Sequence, residues 1–328
     1  MKKSKSIIFI RRVLTSILVL FLLISFVFVI IRLSPGDPAQ KYLSPKLSPK
    51  LYEEIANSYH LNSPIAEQYI TFVKNIFTGD LGISYTYRKP VVSVIGQYLP
   101  FTIFFSITAF ILQIIFSSLL VYFAVKYKGG VIDKFLTTSS MVIYAVPVFL
   151  SSIFLIYIFS YQMNVFSSSG IRSFNFDEFS VMGKLLDYIK HLLLPLIAIS
   201  LTGIPIFYKY LRDSIINNLN SLYVMNLSSL GMSRKEIILK HVLPNSVNSV
   251  IAVAGIELGI LLGGTVIVET IFSLPGMGQL TMNAVLARDY PLVVGCTITA
   301  GILILLANLI ADVIRVSIDK RLLRELMT

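Results

Sequence analysis

Long runs of uncharged, mostly apolar residues dominate the chain. Residues 13–31 are 19 consecutive residues without a charge, residues 99–125 are 27, and residues 290–311 are 22. A helix needs about 20 apolar residues to cross the roughly 30 Å hydrocarbon core of a bilayer. Water-soluble folds do not contain several uncharged runs of this length. The pattern therefore predicts an all-α polytopic membrane protein.

Six segments fit this pattern, and we predict spans at about 10–33, 100–125, 137–160, 192–211, 249–270 and 292–315. The fourth is the weakest, because only 17 uncharged residues (192–208) lie in it, together with Pro195 and Pro205. The third contains Pro147 in the same way. Neighbouring helices in a bundle can satisfy the backbone groups that a proline frees, so all three prolines stay within predicted spans.

The first span resembles a secretory signal peptide, because five basic residues precede its apolar run. The run exceeds the roughly 7–15 apolar residues typical of a signal peptide. Arg32-Leu-Ser-Pro-Gly-Asp-Pro follows it in place of a small-residue cleavage site. We interpret the segment as a retained helix.

Composition and charge agree with this class and orient the chain. It is 55% hydrophobic and 14% charged, whereas globular proteins have about 25% charged residues. If the N-terminus is cytoplasmic, the inner segments carry 17 basic and 6 acidic residues, and the outer segments carry 11 of each. The whole net charge of +11 then lies inside, as the positive-inside rule requires. We predict an N-in/C-in topology and no nucleic-acid partner.

The inner loop at 212–248 carries the clearest local signals. Gly231 is suited to end a helix, because glycine takes the left-handed conformation at low cost. Ser233 followed by Glu236 is a capping box that begins a new helix, and Pro244 lies near the end of that helix. A helix, a sharp turn and a second helix are therefore predicted on the cytoplasmic surface.

The second of these helices would present apolar and basic side chains, which are Ile237, Ile238, His241, Arg234, Lys235 and Lys240. A protein partner could receive them, and so could a surface of anionic lipid. The residues alone leave both interpretations open.

The loop resembles the coupling motif of permeases of ATP-binding-cassette (ABC) importers, in which an apolar-x-Leu-Pro group begins ten residues after a glycine. Gly231 and Leu243-Pro244 fall in that register, with His241 at the apolar place. Further segments, in order along nearly the whole chain, are similar to the B-type subunit of the dipeptide/oligopeptide/nickel permease family. They are residues 32–39, 79–84, 191–195, 263–278, 288–291 and 308–312.

The resemblance implies a type I ABC importer transmembrane fold. An ABC transmembrane type-1 domain would occupy 99–316, after a cytoplasmic N-terminus and first span (1–35) and an extracytoplasmic loop (36–98), and before a cytoplasmic tail (317–328). The ATPase-coupling loop would contain Gly231, Ser233, Arg234, Glu236, His241, Leu243 and Pro244. The chain departs from the family pattern at Leu227, Ser229 and Leu230 in this loop, and at Leu274 and Lys320.

The resemblance also implies partners and a mechanism. The expected partners are a second related permease subunit, two cytoplasmic ATP-binding subunits and an extracytoplasmic solute-binding protein, in the bacterial cytoplasmic (inner) membrane. The solute would be a peptide or a similar small molecule, with a nickel complex or glutathione also open. Transport would proceed by alternating access, driven by ATP hydrolysis on the partner subunits.

The fifth span has two features of its own. Gly255, Gly259 and Gly263 are spaced by four, so they share one face and let another helix approach closely. That helix could belong to this chain or to another subunit beside the pore. Glu257 is ionisable at membrane depth, which makes it a functional-site hypothesis by default. The alternative is a carboxyl group hydrogen-bonded to a neighbouring helix.

Catalytic motifs are absent from the sequence. It has no Gly-x-x-x-x-Gly-Lys-Ser/Thr phosphate loop. The three histidines lie in different segments without a His-Glu-x-x-His helix, so we predict no metal site. The lone Cys296 cannot form an internal disulfide. We predict no cofactor and no enzyme activity. We interpret Gln113 and Asn308 as residues that form interhelical hydrogen bonds.

Two other function classes are alternatives to the importer. An ion-gradient-driven secondary transporter would be favoured by inverted repeats or several intramembrane charges, and the sequence offers only Glu257. A membrane-bound enzyme would need a paired acid and base or a nucleophile motif, which the chain lacks. The importer is the prediction, with the secondary transporter as its alternative.

Overall fold

A computed structural model describes residues 2–33 and 64–318, with side chains at 13–30 and 64–318. Residues 34–63 of the predicted outer segment, which include His60 and most of the motif at 32–39, lie outside the described residues. So do residues 319–328 of the predicted tail. Within the described ranges the regular structure is helical, and a single isolated bridge joins Ile83 and Pro90.

The helices follow one another with short connections. In chain order they are α1 (Lys2–Leu33), α2 (Ile65–Phe77), α3 (Val91–Lys126), α4 (Val131–Ala145), α5 (Val148–Leu155), α6 (Val181–Leu219), α7 (Leu222–Ser229), α8 (Arg234–Ile237), α9 (Leu243–Leu262), α10 (Val266–Ile271), α11 (Met277–Leu286) and α12 (Tyr290–Ile318). Two π-helical segments, Ile156–Gln162 and Ile238–Val242, follow α5 and α8.

The number of membrane spans agrees with the prediction. Among the described residues, five helical segments are long and apolar enough to cross a membrane, and they contain α1, α3, α6, α9 and α12. The sixth is a bent pair, in which α4 is followed by the helical segment Val148–Gln162 at an angle of 98°. Six spans result when this pair is counted as one.

The third span, predicted at 137–160 with Pro147 inside it, is present as this bent pair and not as one continuous helix. The helix stops at Ala145, and Val146 and Pro147 adopt extended backbone conformations before α5 begins. Pro147 has no N–H with which to continue the helix, and it disfavours helical geometry at the residue before it. The span is therefore two helices with a break between them.

The fourth and fifth spans have different bounds from those predicted. α6 runs through both Pro195 and Pro205 without interruption and is 39 residues long. α9 begins at Leu243 and ends at Leu262, but the apolar helical segment that contains it continues to Ile271, close to the predicted end near residue 270. Gly264, at φ +112°, turns the chain after α9, and the separate helix α10 begins at Val266. Twenty helical residues already cover about 30 Å, so α9 crosses the hydrocarbon core by itself.

α6 is the centre of the bundle. It packs against α3, α4, α5 and α9, while α12 packs against α9 and α1. One apolar cluster in the outer half joins α3, α5, α6 and α10, and a second at the cytoplasmic end joins α3, α6, α7 and α8. The second cluster positions the inner loop, because two short helices of that loop are part of it.

Candidate functional site

Gly231 ends α7 in the left-handed conformation, at φ +82°. Its N–H donates to Ser228 O at 3.1 Å, and the N–H of Met232 donates to Leu227 O at 3.2 Å. This pair of bonds is a Schellman motif. No atom lies within 4 Å of the position that a Cβ on Gly231 would take. A side chain there would therefore be opposed by backbone strain and not by a clash.

Half of the predicted capping box is present at the start of α8. Ser233 Oγ accepts a hydrogen bond from the N–H of Glu236 at 3.3 Å. The Glu236 carboxylate does not reach back to Ser233. It accepts a hydrogen bond from Lys240 Nζ at 2.7 Å, and this bond lowers the pKa of the Glu236 carboxyl from its usual value. The reciprocal bond of the capping box was wrongly predicted, because Lys240 lies one turn further along the same face and competes for the carboxylate.

The helix that begins after Ser233 does not end near Pro244, which corrects the prediction. The π-helical segment Ile238–Val242 follows α8, and Leu243 N–H donates to Ile238 O, five residues back. Pro244 then lies in the first turn of α9, where it removes one backbone donor from a helix that continues from the segment before it. The loop is thus connected to the fifth span by unbroken helical backbone, with Leu243 and Pro244 at the junction.

The residues that face outward from the loop match the prediction in part, because Arg234, Lys235 and Lys240 are exposed and the predicted apolar residues are not. Ile237 is only 3% exposed and lies in the cytoplasmic apolar cluster, while Ile238 and His241 are half-buried. The first helix of the pair presents exposed apolar side chains that the prediction did not include, with Leu222 and Met225 on one face, and Leu239 is exposed on the second. We call the outward-facing set the coupling surface: Leu222, Met225, Leu230, Arg234 and Lys235. The three-residue spacing of Leu222 and Met225 could have indicated them.

A polar network that the sequence did not indicate fastens the coupling helix α7 to the bundle. Tyr223 on α7 donates its hydroxyl hydrogen to Asn218 Oδ1 at 3.0 Å. Asn218 Nδ2, near the end of α6, donates to Ser246 Oγ on α9 at 3.2 Å. Asn245 Nδ2 donates to the Tyr223 hydroxyl at 3.5 Å. Three helices therefore meet through one tyrosine and one asparagine.

A bidentate ion pair connects α4 to the cytoplasmic end of α6. Arg212 Nε and Nη2 donate to the two carboxylate oxygens of Asp133 at 2.8 and 2.9 Å. Asp133 Oδ2 also accepts from the N–H of Gly129 at 2.9 Å. Paired bonds of this kind hold a fixed orientation. The turn between α3 and α4 is thus anchored next to the segment that leads into the coupling helix.

The three glycines of the fifth span lie against α12 of the same chain. A Cβ on Gly255 would overlap the Cβ of Ala311, and a Cβ on Gly263 would lie 3.0 Å from Ile304 Cδ1. At Gly259 the distance to Ile304 Cγ2 would be 3.4 Å, an ordinary contact. These contacts correspond to the interpretation as packing within one subunit.

Glu257 lies on another face of α9, 6% exposed and beside the Gln113 side chain of α3. None of the ion pairs in the described part of the chain involves Glu257. Gln113 Nε2 donates to Ile199 O of α6 at 3.2 Å, which confirms the interhelical bond predicted for Gln113. Asn308 bonds to Ile304 O in its own helix, so the corresponding prediction for Asn308 is wrong. Glu257 of α9 thus lies next to a polar side chain of α3, as in the interpretation of a carboxyl group bonded to a neighbouring helix.

Three buried carboxylates on the outer side hold loops, and none of them was singled out by the sequence. Glu269 Oε2 accepts from the N–H of Gln279 at the start of α11, at 3.0 Å. Asp289 Oδ2 accepts from the N–H of Thr86 at 2.9 Å. Asp187 accepts two bonds from Ser173, at 2.8 and 2.6 Å. No pattern in the sequence indicates these contacts, because the partners of Glu269 and Asp289 lie 10 and 203 residues away.

Comparison with known proteins places the chain in a family. Residues 118–324 match the family model of the binding-protein-dependent transport system inner membrane component, and residues 6–108 match the N-terminal model of the corresponding membrane component.

Similar proteins span the same length. An oligopeptide transport system permease protein, AppB, of Bacillus subtilis is 31% identical over 95% of this chain and 98% of that protein. A dipeptide transport system permease protein, DppB, of Lactococcus lactis is 28% identical over 93% and 95%. A glutathione transport system permease protein, GsiC, of Escherichia coli is 27% identical over 94% and 96%.

These matches agree with the resemblance seen in the sequence and decide against the secondary-transporter alternative. They also confirm the predicted fold class, the type I ABC importer membrane fold. This chain belongs to the family of inner membrane components of binding-protein-dependent transport systems, and it is a multi-pass permease subunit of an ATP-driven importer in the bacterial inner membrane.

Proposed function

We propose that this subunit forms half of a pathway for peptides or similar small solutes, and that its coupling surface docks a cytoplasmic ATPase. The complete importer would contain a second related permease subunit, two ATP-binding subunits and an extracytoplasmic binding protein. The relatives named for oligopeptide, dipeptide and glutathione transport support the solute class. Hydrolysis of ATP then belongs to the partners.

The observation that carries the coupling role is the connection between the coupling surface and two spans. The surface projects apolar Leu222 and Met225 from α7. The helix α7 is joined by the Tyr223–Asn218–Ser246 network to the end of α6 and the start of α9. A displacement of α7 is therefore carried to both spans through hydrogen-bonded side chains and unbroken helix. A loop that only rested on lipid would need no such fastening.

Alternating access follows from this arrangement. When the ATPase pair closes, the docked α7 moves with it, and α6 and α9 move because they are bonded to α7. α6 lies at the centre of the bundle and α9 packs against α12, so the motion reaches most of the subunit. Packed helices of this kind change between discrete arrangements and do not deform smoothly.

A glycine substitution with a matched control tests the proposal. Gly231→Val places a β-branched side chain at φ +82°, where no neighbouring atom obstructs it. Gly129→Val does the same at φ +79° in the cytoplasmic turn between α3 and α4, again with open space around the Cβ position. The strain is alike in the two variants, and only Gly231 adjoins the coupling surface.

We expect both variants to accumulate in the membrane, because neither position is in the packed core. Gly231→Val should abolish docking of the co-purified ATPase, or leave ATP hydrolysis without uptake of di- and oligopeptides. Gly129→Val should retain most of the uptake. Full uptake by a normally accumulated Gly231→Val complex would refute the coupling role. Wild-type complexes that hydrolyse ATP and import no peptide would refute the solute class alone.

A further inference from the structure

The break between α4 and α5 lies at membrane depth. α4 begins at Val131 on the cytoplasmic side and has 15 residues, which rise about 22 Å at 1.5 Å per residue. The hydrocarbon core is about 30 Å thick, so Val146 and Pro147 lie inside it. Leu155, further along α5, belongs to the apolar cluster of the outer half. The break thus separates an inner helix from an outer one.

The end of α4 stands clear of the rest of the chain. All seven residues from 141 to 147 are exposed, and Tyr144 is 64% exposed. Seven residues cover about two helical turns, so a helix packed along one side would hide at least one of them. No other part of the described chain covers this segment, which we call the exposed break (residues 141–147).

The exposed break also presents unsatisfied backbone. Val146 is extended, at φ −79° and ψ 121°, and its N–H donates to Ile143 O at 3.2 Å. Its carbonyl oxygen receives no hydrogen bond from the described residues, and Pro147 has no N–H. An unpaired carbonyl in hydrocarbon costs several kcal/mol. Non-helical backbone at membrane depth therefore occurs only where it is buried in protein or faces water.

The exposure excludes burial of the break against the described residues, and the unpaired carbonyl excludes contact with lipid. A run of four hydroxyl residues, 137–140, leads up to the break. Thr138 in this run is exposed and lies one helical turn from Val142. One exposed hydroxyl group, that of Thr138, lies on the same stretch of α4 about two turns before the open carbonyl of Val146. A polar group and an open carbonyl along one exposed stretch favour contact with water over a dry contact with another subunit.

We propose that the exposed break lines the water-filled solute pathway, and that the Val146 carbonyl oxygen accepts hydrogen bonds from the N–H groups of a peptide. This inference rests on the proposed function for the identity of the solute. A neutral carbonyl recognises the peptide backbone without regard to side chains, so the site suits a class of peptides and not one sequence. The Tyr144 side chain provides an amphipathic contact next to it.

Cysteine accessibility tests this placement in the assembled complex, in a Cys296→Ser background that removes the native thiol. Tyr144→Cys and Val146→Cys are probed with a charged, water-soluble methanethiosulfonate reagent. The control is Leu22→Cys on the peripheral helix α1, which is 57% exposed in the chain and lies in an apolar run. Each complex is assayed without nucleotide and after trapping with ATP and vanadate.

We expect both cysteines of the break to react at least about tenfold faster than Leu22→Cys. The thiolate is the reacting form, and a dry apolar setting lowers its population about tenfold for each unit by which it raises the thiol pKa. The rates should also change by about tenfold or more between the two nucleotide states, since alternating access opens the pathway to one side at a time. An effect at Tyr144→Cys alone still supports the inference if Val146→Cys does not assemble.

Reaction rates at Tyr144→Cys no higher than at Leu22→Cys in both states would overturn the inference. A second overturning result would be a Tyr144→Cys that does not react with the reagent in either state and can be cross-linked to the second permease subunit. The break would then be buried at a subunit interface. These outcomes are distinct from failure of the proposed function, which the Gly231→Val experiment detects by uptake and ATP hydrolysis.

Discussion

Two spans of this subunit contain prolines near their middle and respond in opposite ways. α6 passes through Pro195 and Pro205 as one helix of 39 residues. The third span breaks at Pro147 and turns by 98°. The same residue type removes the same hydrogen bond in both places. A proline therefore permits a break in the helix, but the residue type alone does not decide whether the break occurs.

The deciding difference is the surroundings. Pro195 and Pro205 are buried, and the helices α3, α4, α5 and α9 pack around α6. Between the two prolines, Gln113 of α3 bonds to Ile199 O. Pro147 is exposed with the residues before it. Neighbours keep α6 continuous, whereas the end of α4 has none among the described residues. A proline in a membrane span therefore leads to a break only where packing leaves the helix free to bend.

The largest effect is expected when the break itself is removed. Pro147→Ala restores an N–H and removes a ring whose presence inside a helix costs about 3 kcal/mol. A preference of that size shifts an equilibrium about 100-fold toward a straight helix. We expect uptake to fall at least about tenfold while the complex still assembles. Pro205→Ala is the control, and it should change uptake by no more than about twofold because α6 is already continuous through Pro205.

Both variants are compared by uptake per assembled complex, measured after purification from membranes. Equal, near-wild-type uptake in Pro147→Ala and Pro205→Ala would show that the bend has no part in transport. A large loss in Pro205→Ala alone would reverse the comparison.

A smaller effect is expected where backbones approach most closely, between α9 and α12. Gly255→Ala places a Cβ onto that of Ala311, which cannot rotate away. Overpacking of this kind costs about 2–3 kcal/mol, so the thermal stability of the complex should fall. Gly259→Ala, whose Cβ would lie 3.4 Å from Ile304, should be tolerated, whereas Gly259→Leu should impair assembly or transport. Similar melting temperatures for the two alanine variants would contradict the packing described here.

The packing that supports α6 can be weakened between its two prolines. A Cβ on Gly203 would overlap the Gln113 side chain, and this side chain must then give up its bond to Ile199 O. We expect Gly203→Ala to destabilise the complex by about 1–2 kcal/mol, less than Gly255→Ala because a glutamine can change rotamer. The double variant Gly203→Ala/Gln113→Ala should recover part of the loss. No recovery in a melting experiment would mean that Gln113 is not what opposes the substitution.

The smallest effect is expected at two helix caps with matching geometry. Ser180 Oγ accepts from Gly183 N–H at 3.2 Å at the start of α6, and Ser233 Oγ accepts from Glu236 N–H at 3.3 Å at the start of α8. Alanine at either place should cost about 0.5–2 kcal/mol of local helix stability. Ser233→Ala should mildly reduce uptake per ATP hydrolysed, and Ser180→Ala should leave that ratio unchanged. A reduced ratio in both variants would mean that capping in general, and not the coupling surface, is responsible.

Several features were readable from the sequence because they depend on local or one-dimensional properties. The apolar runs predicted six spans, and the charge count predicted their orientation. Gly231 predicted the end of α7, because left-handed backbone is a property of that residue alone. Ile237 was misjudged, since burial of one helix face depends on which neighbour covers it. The capping box was predicted half correctly for a similar reason. The Glu236 carboxylate accepts a hydrogen bond from Lys240 and not from the N–H of Ser233.

The sequence by itself determined the class of protein, the sidedness and the place of the coupling turn, because hydrophobic length, net charge and glycine backbone freedom are all encoded without long-range contacts. Only the tertiary structure decided which proline breaks its helix, which carboxylates are buried, and which helix the glycines meet. Asp289 illustrates the reason, since its hydrogen-bond partner Thr86 lies some 200 residues away in sequence. Pairings over that distance in sequence depend on the arrangement of the helices in space. A pattern of neighbouring residues does not encode this arrangement.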